Sequence, residues 1–236
     1  DAGAESPEHY AGDLSSTFPV SDNFTEKQAL IYNIHLESFK AASEVNHDPK
    51  LTEDAFYNYA KLAFDLNSDN SVFNKYIAKY SDKVKGNAIY AYQAVSALYD
   101  RNYGAAVEAY DKIDELQDDM ISNYMKANYL RAEQLIANGS WRNAVPCLKA
   151  ASYYSDKRSF FNQLSRYWLA ESYYKSGKYQ QAAKVYSDLY NISALDRYEE
   201  GKALPYNLAY AYLKSDDYAS AAKWFDIYIN SGASSF

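Results

Sequence analysis

One pattern, recurring at intervals of 38 and 39 residues, limits what this chain can fold into. Arg131-Ala132-x-x-Leu135-x-x-x-Gly139-x-Trp141-x-x-Ala144-x-x-x-Leu148 is followed by Leu169-Ala170-x-x-Tyr173-x-x-x-Gly177-x-Tyr179-x-x-Ala182-x-x-x-Tyr186. Leu208-Ala209-x-x-Tyr212-x-x-x-Asp216-x-Tyr218-x-x-Ala221-x-x-x-Phe225 then repeats it. Apolar steps of three and four within each half of a copy describe helices, and the short break between halves describes a turn. Each copy is therefore a helical hairpin, and hairpins repeated in this way pack on their neighbours as one continuous array.

The register predicts first helices over 86–100, 120–138, 160–176 and 199–215, and second helices over 103–117, 141–155, 179–191 and 218–230. Gly139 and Gly177 fall where the first helix must end in a left-handed conformation, which glycine adopts without a Cβ clash. Ala132, Ala170 and Ala209, with Ala144, Ala182 and Ala221, sit where paired helices approach closely. Tyr103, Trp141, Tyr179 and Tyr218 open the second helices and are expected to wedge into the seam. An upstream copy keeps Ala94, Tyr103, Ala106 and Tyr110 but carries Gln93 and Arg101 in place of Leu and Gly.

Further upstream the pattern thins. Residues 1–25 are polar and turn-like and read as an arm or linker. Thr25 or Asp22 is placed to cap a helix over 26–45, with Leu30, Ile34 and Phe39 facing inward. A second helix opens at Thr52, with Phe56, Tyr59, Ala60, Ala63 and Phe64 on one face, and a short one follows near 71–80. The chain thus reads as an arm (1–25), divergent helical repeats (26–85) and a regular array (86–236). The expected fold is all-α, a right-handed solenoid of antiparallel helix pairs.

Composition narrows the function. The formal charge is −7, from 24 basic and 31 acidic side chains. No basic cluster stands out, and phosphate binding needs one, so a nucleic-acid partner is not expected. No apolar run is long enough to cross a membrane. The single cysteine, Cys147, excludes an internal disulfide and suits a small buried site. Tyrosine is the outlier, with 27 copies, and it suits half-buried faces because its body is apolar and its tip polar.

Chemistry-bearing patterns are missing. His9, His35 and His47 have no His or Cys partner at metal-ligand spacing. The chain has no glycine-rich phosphate loop, HExxH helix or nucleophile elbow. Glu199-Glu200 reads as a first-turn charge pair. Asp111, Asp114, Glu115, Asp118 and Asp119 read as an acidic helix end, solvated or able to dock a basic segment. The expectation is no enzyme activity, no cofactor and no metal.

The spacing of the three copies resembles the tetratricopeptide (TPR) family, over about 87–230 closely and 26–80 loosely. The period exceeds that family's usual length of about 34 residues, and the extra residues fall between units, around Tyr153–Ser159 and Ile192–Glu200. The stretches Glu53–Leu62, Phe73–Tyr80 and Ala209–Tyr218 resemble long multi-repeat TPR proteins of Bacteroidetes cell envelopes. That likeness implies a periplasmic or outer-membrane-associated location.

The resemblance also implies a groove. First helices line the concave face of such arrays, which here corresponds to Lys126, Tyr129, Glu133 and Ile136, then Leu164, Tyr167, Glu171 and Tyr174, then Ala203, Tyr206, Tyr210 and Leu213. Lys126, Tyr129, Glu133, Tyr167, Glu171, Tyr174, Tyr206 and Tyr210 are the candidate partner-binding residues. Their tyrosines would bury area at low entropy cost, and the carboxylates would select a basic or amide-bearing peptide or protein. The same tyrosines would serve equally in packing between units, so a structural spacer in a larger envelope protein is the alternative. A glycan or small-ligand module, or an enzyme, is a further one. At the C-terminus, Trp224, Ile227 and Tyr228 span too much of the last helix for one contact. An apolar strip is expected there, left by further units of a longer parent chain, by end-to-end self-association or by cover from Phe236.

Overall fold

The computed structural model describes residues 25–45, 47–66, 69, 71–192, 195 and 198–231. The arm expected at the N-terminus lies outside them up to residue 24, as does the tail from Gly232 to Phe236. Among the described residues all regular structure is helical: α1 (Glu26–Glu44), α2 (Pro49–Asp65), α3 (Ser71–Lys79), α4 (Lys83–Tyr99), α5 (Tyr103–Tyr110), α6 (Asp118–Ala137), α7 (Trp141–Tyr153), α8 (Phe160–Lys175), α9 (Tyr179–Tyr190), α10 (Glu199–Lys214) and α11 (Tyr218–Asn230). The chain divides into two compact units, residues 1–100 with 108–115 and residues 101–107 with 116–236.

In the first unit α1 packs on α2 and α2 on α3. Thr25 caps α1 with a reciprocal capping box to Gln28. α2 starts at Pro49, earlier than the Thr52 start expected. Asp48 takes the cap by accepting from Lys50 and Leu51, and proline's fixed φ suits the first helical position. Thr52 instead donates its hydroxyl to the carbonyls of Val45 and Asp48, both at 2.8 Å. Ala60, Ala63, Val72, Phe73, Tyr76 and Ile89 form the core, with Phe56, Tyr59 and Phe64 packed against it. The inward placement of Leu30 and Ile34 does not hold, since both are more than half exposed. Leu36 is the α1 residue that packs on this core.

In the second unit each helix from α6 to α11 packs on the next, and α8 also touches α10. The six repeat alanines, from Ala132 to Ala221, are all buried. Gly139 and Gly177 have φ of 72° and 77°. Asp216 at 62° and Arg101 at 57° hold the equivalent positions without glycine, so the turn is kept where the residue is not.

Three expectations need correction. The second helix at 103–117 ends at Tyr110, because Ile113 folds back into a buried position and the Asp114 amide donates to Asn87 Oδ1 at 3.4 Å. Asp111, Asp114 and Glu115 therefore lie in a link, and only Asp118 and Asp119 are helical, at the start of α6. Tyr218 does not wedge into a seam: it is 64% exposed and its hydroxyl donates to Asp216 at 2.9 Å.

Nor do Trp224 and Tyr228 of α11 stand clear as an apolar strip. Trp224 meets Tyr190 of α9 edge-on at 4.7 Å, while Tyr228 meets Tyr206 of α10 at 5.2 Å. Two elements of the same unit divide the circumference that one contact would not cover. Ile229 is the large apolar side chain of α11 that stays mostly exposed.

Of the extra residues in the long period, those at 154–159 form a link and not an added helical turn. The link from Tyr154 to Ser159 is tied down by Asn162, whose amide donates to the carbonyls of Ser152 at 2.7 Å and Ser155 at 3.3 Å. Asn162 thereby satisfies the Ser155 carbonyl of the link and shares the Ser152 carbonyl, in the last turn of α7, with the Ser155 hydroxyl at 3.4 Å.

Candidate partner-binding cleft

The structure sorts the tyrosine stripe by burial. Tyr129 is 5% exposed and stacks at a tilt on Phe161, with centroids 5.3 Å apart. Tyr167 is 8% exposed and meets Tyr186 edge-on. These rings are core, so the stripe is not a uniform surface. Tyr206 is 41% exposed, and Tyr174 and Tyr210 are half-buried.

A cleft of about 290 Å³ lies where that exposure begins. Glu171, Tyr174 and Lys175 of α8, Tyr186 of α9, and Tyr206, Asn207 and Tyr210 of α10 line it. The one-turn spacing of Tyr206 and Tyr210 puts both rings on one side of α10, with centroids 4.7 Å apart. Phe225 and Tyr228 of α11 back them, at 5.2 Å from Tyr210 and Tyr206 respectively. Tyr179 props Tyr174 from behind at 5.3 Å.

Glu171 is the polar centre. Its Oε1 accepts from the Tyr186 hydroxyl and from Asn207 Nδ2, the latter at 2.9 Å. Asn207 Nδ2 also donates to the Tyr167 hydroxyl oxygen at 3.0 Å. Burial, the negative charge of Glu171 and the bond to it hold the Tyr186 hydroxyl far above the usual tyrosine range. Tyr167 is raised by burial and by the Glu171 charge, which the Asn207 bond partly offsets. Tyr206 is raised by its hydrogen bond with Tyr210 and by burial. Among the described residues no lysine or arginine lies within ion-pairing distance of Glu171. Lys175, at the rim, has its ammonium 5.9 Å from the Trp141 ring centroid.

The α6 members of the stripe do not line this cleft. Tyr129 and Glu133 repeat the Tyr167–Glu171 pair one unit earlier, but without the Asn207 and Tyr186 counterparts. Burial raises the Glu133 carboxyl, with its Tyr129 hydrogen bond as a partial offset. Burial alone lowers Lys126. Both Tyr129 and Tyr167 also feel the charge of Glu200, at the start of α10.

Sequence reasoning missed Tyr186, Asn207 and Lys175. Tyr186 had a signal. It occupies the motif position held by Leu148 and Phe225, and of the three it alone brings a hydroxyl into the seam. A buried donor asks for an acceptor. Asn207 had a weaker one: stepping from Ala203 by four, not three, passes through it before reaching Tyr210.

A second, more open cleft of about 360 Å³ is lined by Gln180, Lys184, Ser187, Asp188 and Tyr212 among others. It lacks a desolvated charged group: Asp188 is exposed and pairs with Arg166 at 3.3 Å. Among the described residues no group of three His, Cys, Asp or Glu side chains is placed to hold a metal ion. No helix among them is long and apolar enough to cross a membrane.

Comparison with protein-family models returns no match, and comparison with curated proteins returns none either. The residues themselves carry the functional reading.

Proposed function

We propose that this chain is a non-enzymatic scaffold of the tetratricopeptide kind, a right-handed solenoid in its regular part, which holds a peptide or protein partner on the α8–α10 face. The observation that supports this most is the cleft between those helices: accessible tyrosine rings around a carboxylate without a cation. Tyrosine rings bury contact area with few torsions to fix, and such rigid aromatic anchors dominate binding energetics. The extracytoplasmic, envelope location belongs to the same proposal and rests on the resemblance of three stretches alone.

The burial of Tyr129 and Tyr167 favours a second reading for the α6 end, where tyrosine serves packing between units. In that reading the array is a spacer. The two readings separate on Tyr206 and Tyr210. Random displayed peptides would be panned on the full chain and the selected sequences measured by fluorescence polarisation. The variant Tyr206→Ala/Tyr210→Ala should bind them at least about tenfold more weakly while keeping its helicity, as loss of a hot spot does. Failure to enrich any peptide, or full affinity in the folded double variant, would favour the spacer.

A further inference from the structure

We propose that the α8–α10 cleft is a subsite for one cationic side chain, a lysine or arginine of the bound chain, with Glu171 as its counter-ion. This rests on the peptide-scaffold reading and adds a chemical preference to it.

Three observations converge. The first is the hydrogen-bond inventory. Glu171 accepts from Tyr186 and Asn207 on the same oxygen, Oε1, and the Tyr167 hydroxyl also bonds the carboxylate, which leaves at least one of its roughly four acceptor positions to spare. The Asn207 amide spends its nitrogen on Glu171 and Tyr167, and its carbonyl oxygen accepts from none of the described residues. The centre of the cleft thus offers acceptors, with tyrosine hydroxyls around it and the Lys175 ammonium turned to Trp141 at the rim. Ammonium and guanidinium groups are donors only, whereas a sugar hydroxyl or a peptide amide brings both kinds. The second is charge. A half-buried carboxylate without a cation is costly, and a partner's positive group relieves that cost. The third is shape. Tyr174, Tyr206 and Tyr210 present rings around the carboxylate, and a cation over a tyrosine face gains further attraction. A volume of about 290 Å³ sits at the small end of ligand sites, about 300–1,000 Å³, and suits a side chain better than a folded ligand.

The experiment uses the ¹⁵N-labelled full chain and host pentapeptides of alanine with one central residue: lysine, arginine, norleucine or citrulline. Free butylammonium and maltose serve as further probes. Lysine and arginine peptides should shift the amides of Tyr206, Asn207 and Tyr210, and norleucine and citrulline peptides should bind at least tenfold more weakly. Glu171→Gln keeps the side-chain shape and should erase that preference. Tyr210→Leu keeps an apolar body and should weaken the cationic peptides more than the neutral ones. Equal binding of norleucine and lysine peptides, or a preference that survives Glu171→Gln, overturns the subsite and leaves the scaffold reading standing. Butylammonium that binds while every peptide is excluded keeps the cation site and overturns the peptide reading beneath it. Maltose binding at the same residues, without any response to cations, overturns both.

Discussion

Asn207 on α10 is bound to two groups of α8 through a single amide nitrogen, 2.9 Å from Glu171 Oε1 and 3.0 Å from the Tyr167 hydroxyl. Adjacent first helices are thereby joined by polar contacts as well as by apolar packing. Such a network stabilises only while every member is satisfied.

Tyr186→Phe removes one of the two donors on Glu171 Oε1 and leaves that oxygen to Asn207 alone. Urea denaturation should show a loss of about 1–3 kcal/mol. Combining it with Glu171→Leu should cost less than the sum of the single changes, since the acceptor that Tyr186 serves is then gone.

The left-handed turn positions give a graded series. Gly177→Ala should destabilise by about 1–2 kcal/mol through backbone strain alone, because an added Cβ meets nothing within 4 Å. Arg101→Gly should stabilise by about 0.5–1 kcal/mol after glycine's extra freedom in the unfolded chain is subtracted. Asp216→Gly should be near neutral: aspartate tolerates this conformation better than arginine, and the change also removes the acceptor for Tyr218. Thermal melts that rank the three differently would contradict the torsional account.

Asn162→Ala removes a donor from the carbonyl of Ser152, which keeps the Ser155 hydroxyl at 3.4 Å, and from that of Ser155 in the link. The expected cost is about 1–3 kcal/mol. Hydrogen exchange should rise first in residues 154–159, and uniform acceleration across α7 and α8 would argue that the link is held by something else.

Glu133 sets a pH test. Burial raises its folded carboxyl above the ordinary value of 4.5, so the ionised form is disfavoured in the folded chain. The protonated form therefore adds stability below the unfolded value, and that addition is lost as pH rises through the folded value. Glu133→Gln should be more stable than the parent at neutral pH, and the gap should close on acidification. A gap that widens in acid would reverse the sign.

How much of this was legible depends on how many jobs a residue type can do. Alanine at 132, 170 and 209 and glycine at 139 and 177 have one common use each in a helical hairpin, and the structure uses them so. Tyrosine has several. Nothing in sequence spacing separates Tyr129, sealed under Phe161, from Tyr206, which lies open, because both satisfy the same helical stripe. Leu30 and Ile34 misled for a related reason: apolar spacing names a face but not what covers it. The end of α5 was hidden because Asp111 to Gln117 contains neither glycine nor proline, and the break comes from Ile113 finding a buried position.

The turn torsions at Gly139, Gly177 and Asp216 have a consequence for splicing. They recur at intervals of 38 and 39 residues while the side chains that hold them change, so they act as phase marks for the array. The odd residue is taken up in the link between α9 and α10, outside both hairpins. A cut made in that link and a graft that preserves turn-to-turn phase should lengthen the second unit by a whole hairpin, with its neighbours' register untouched.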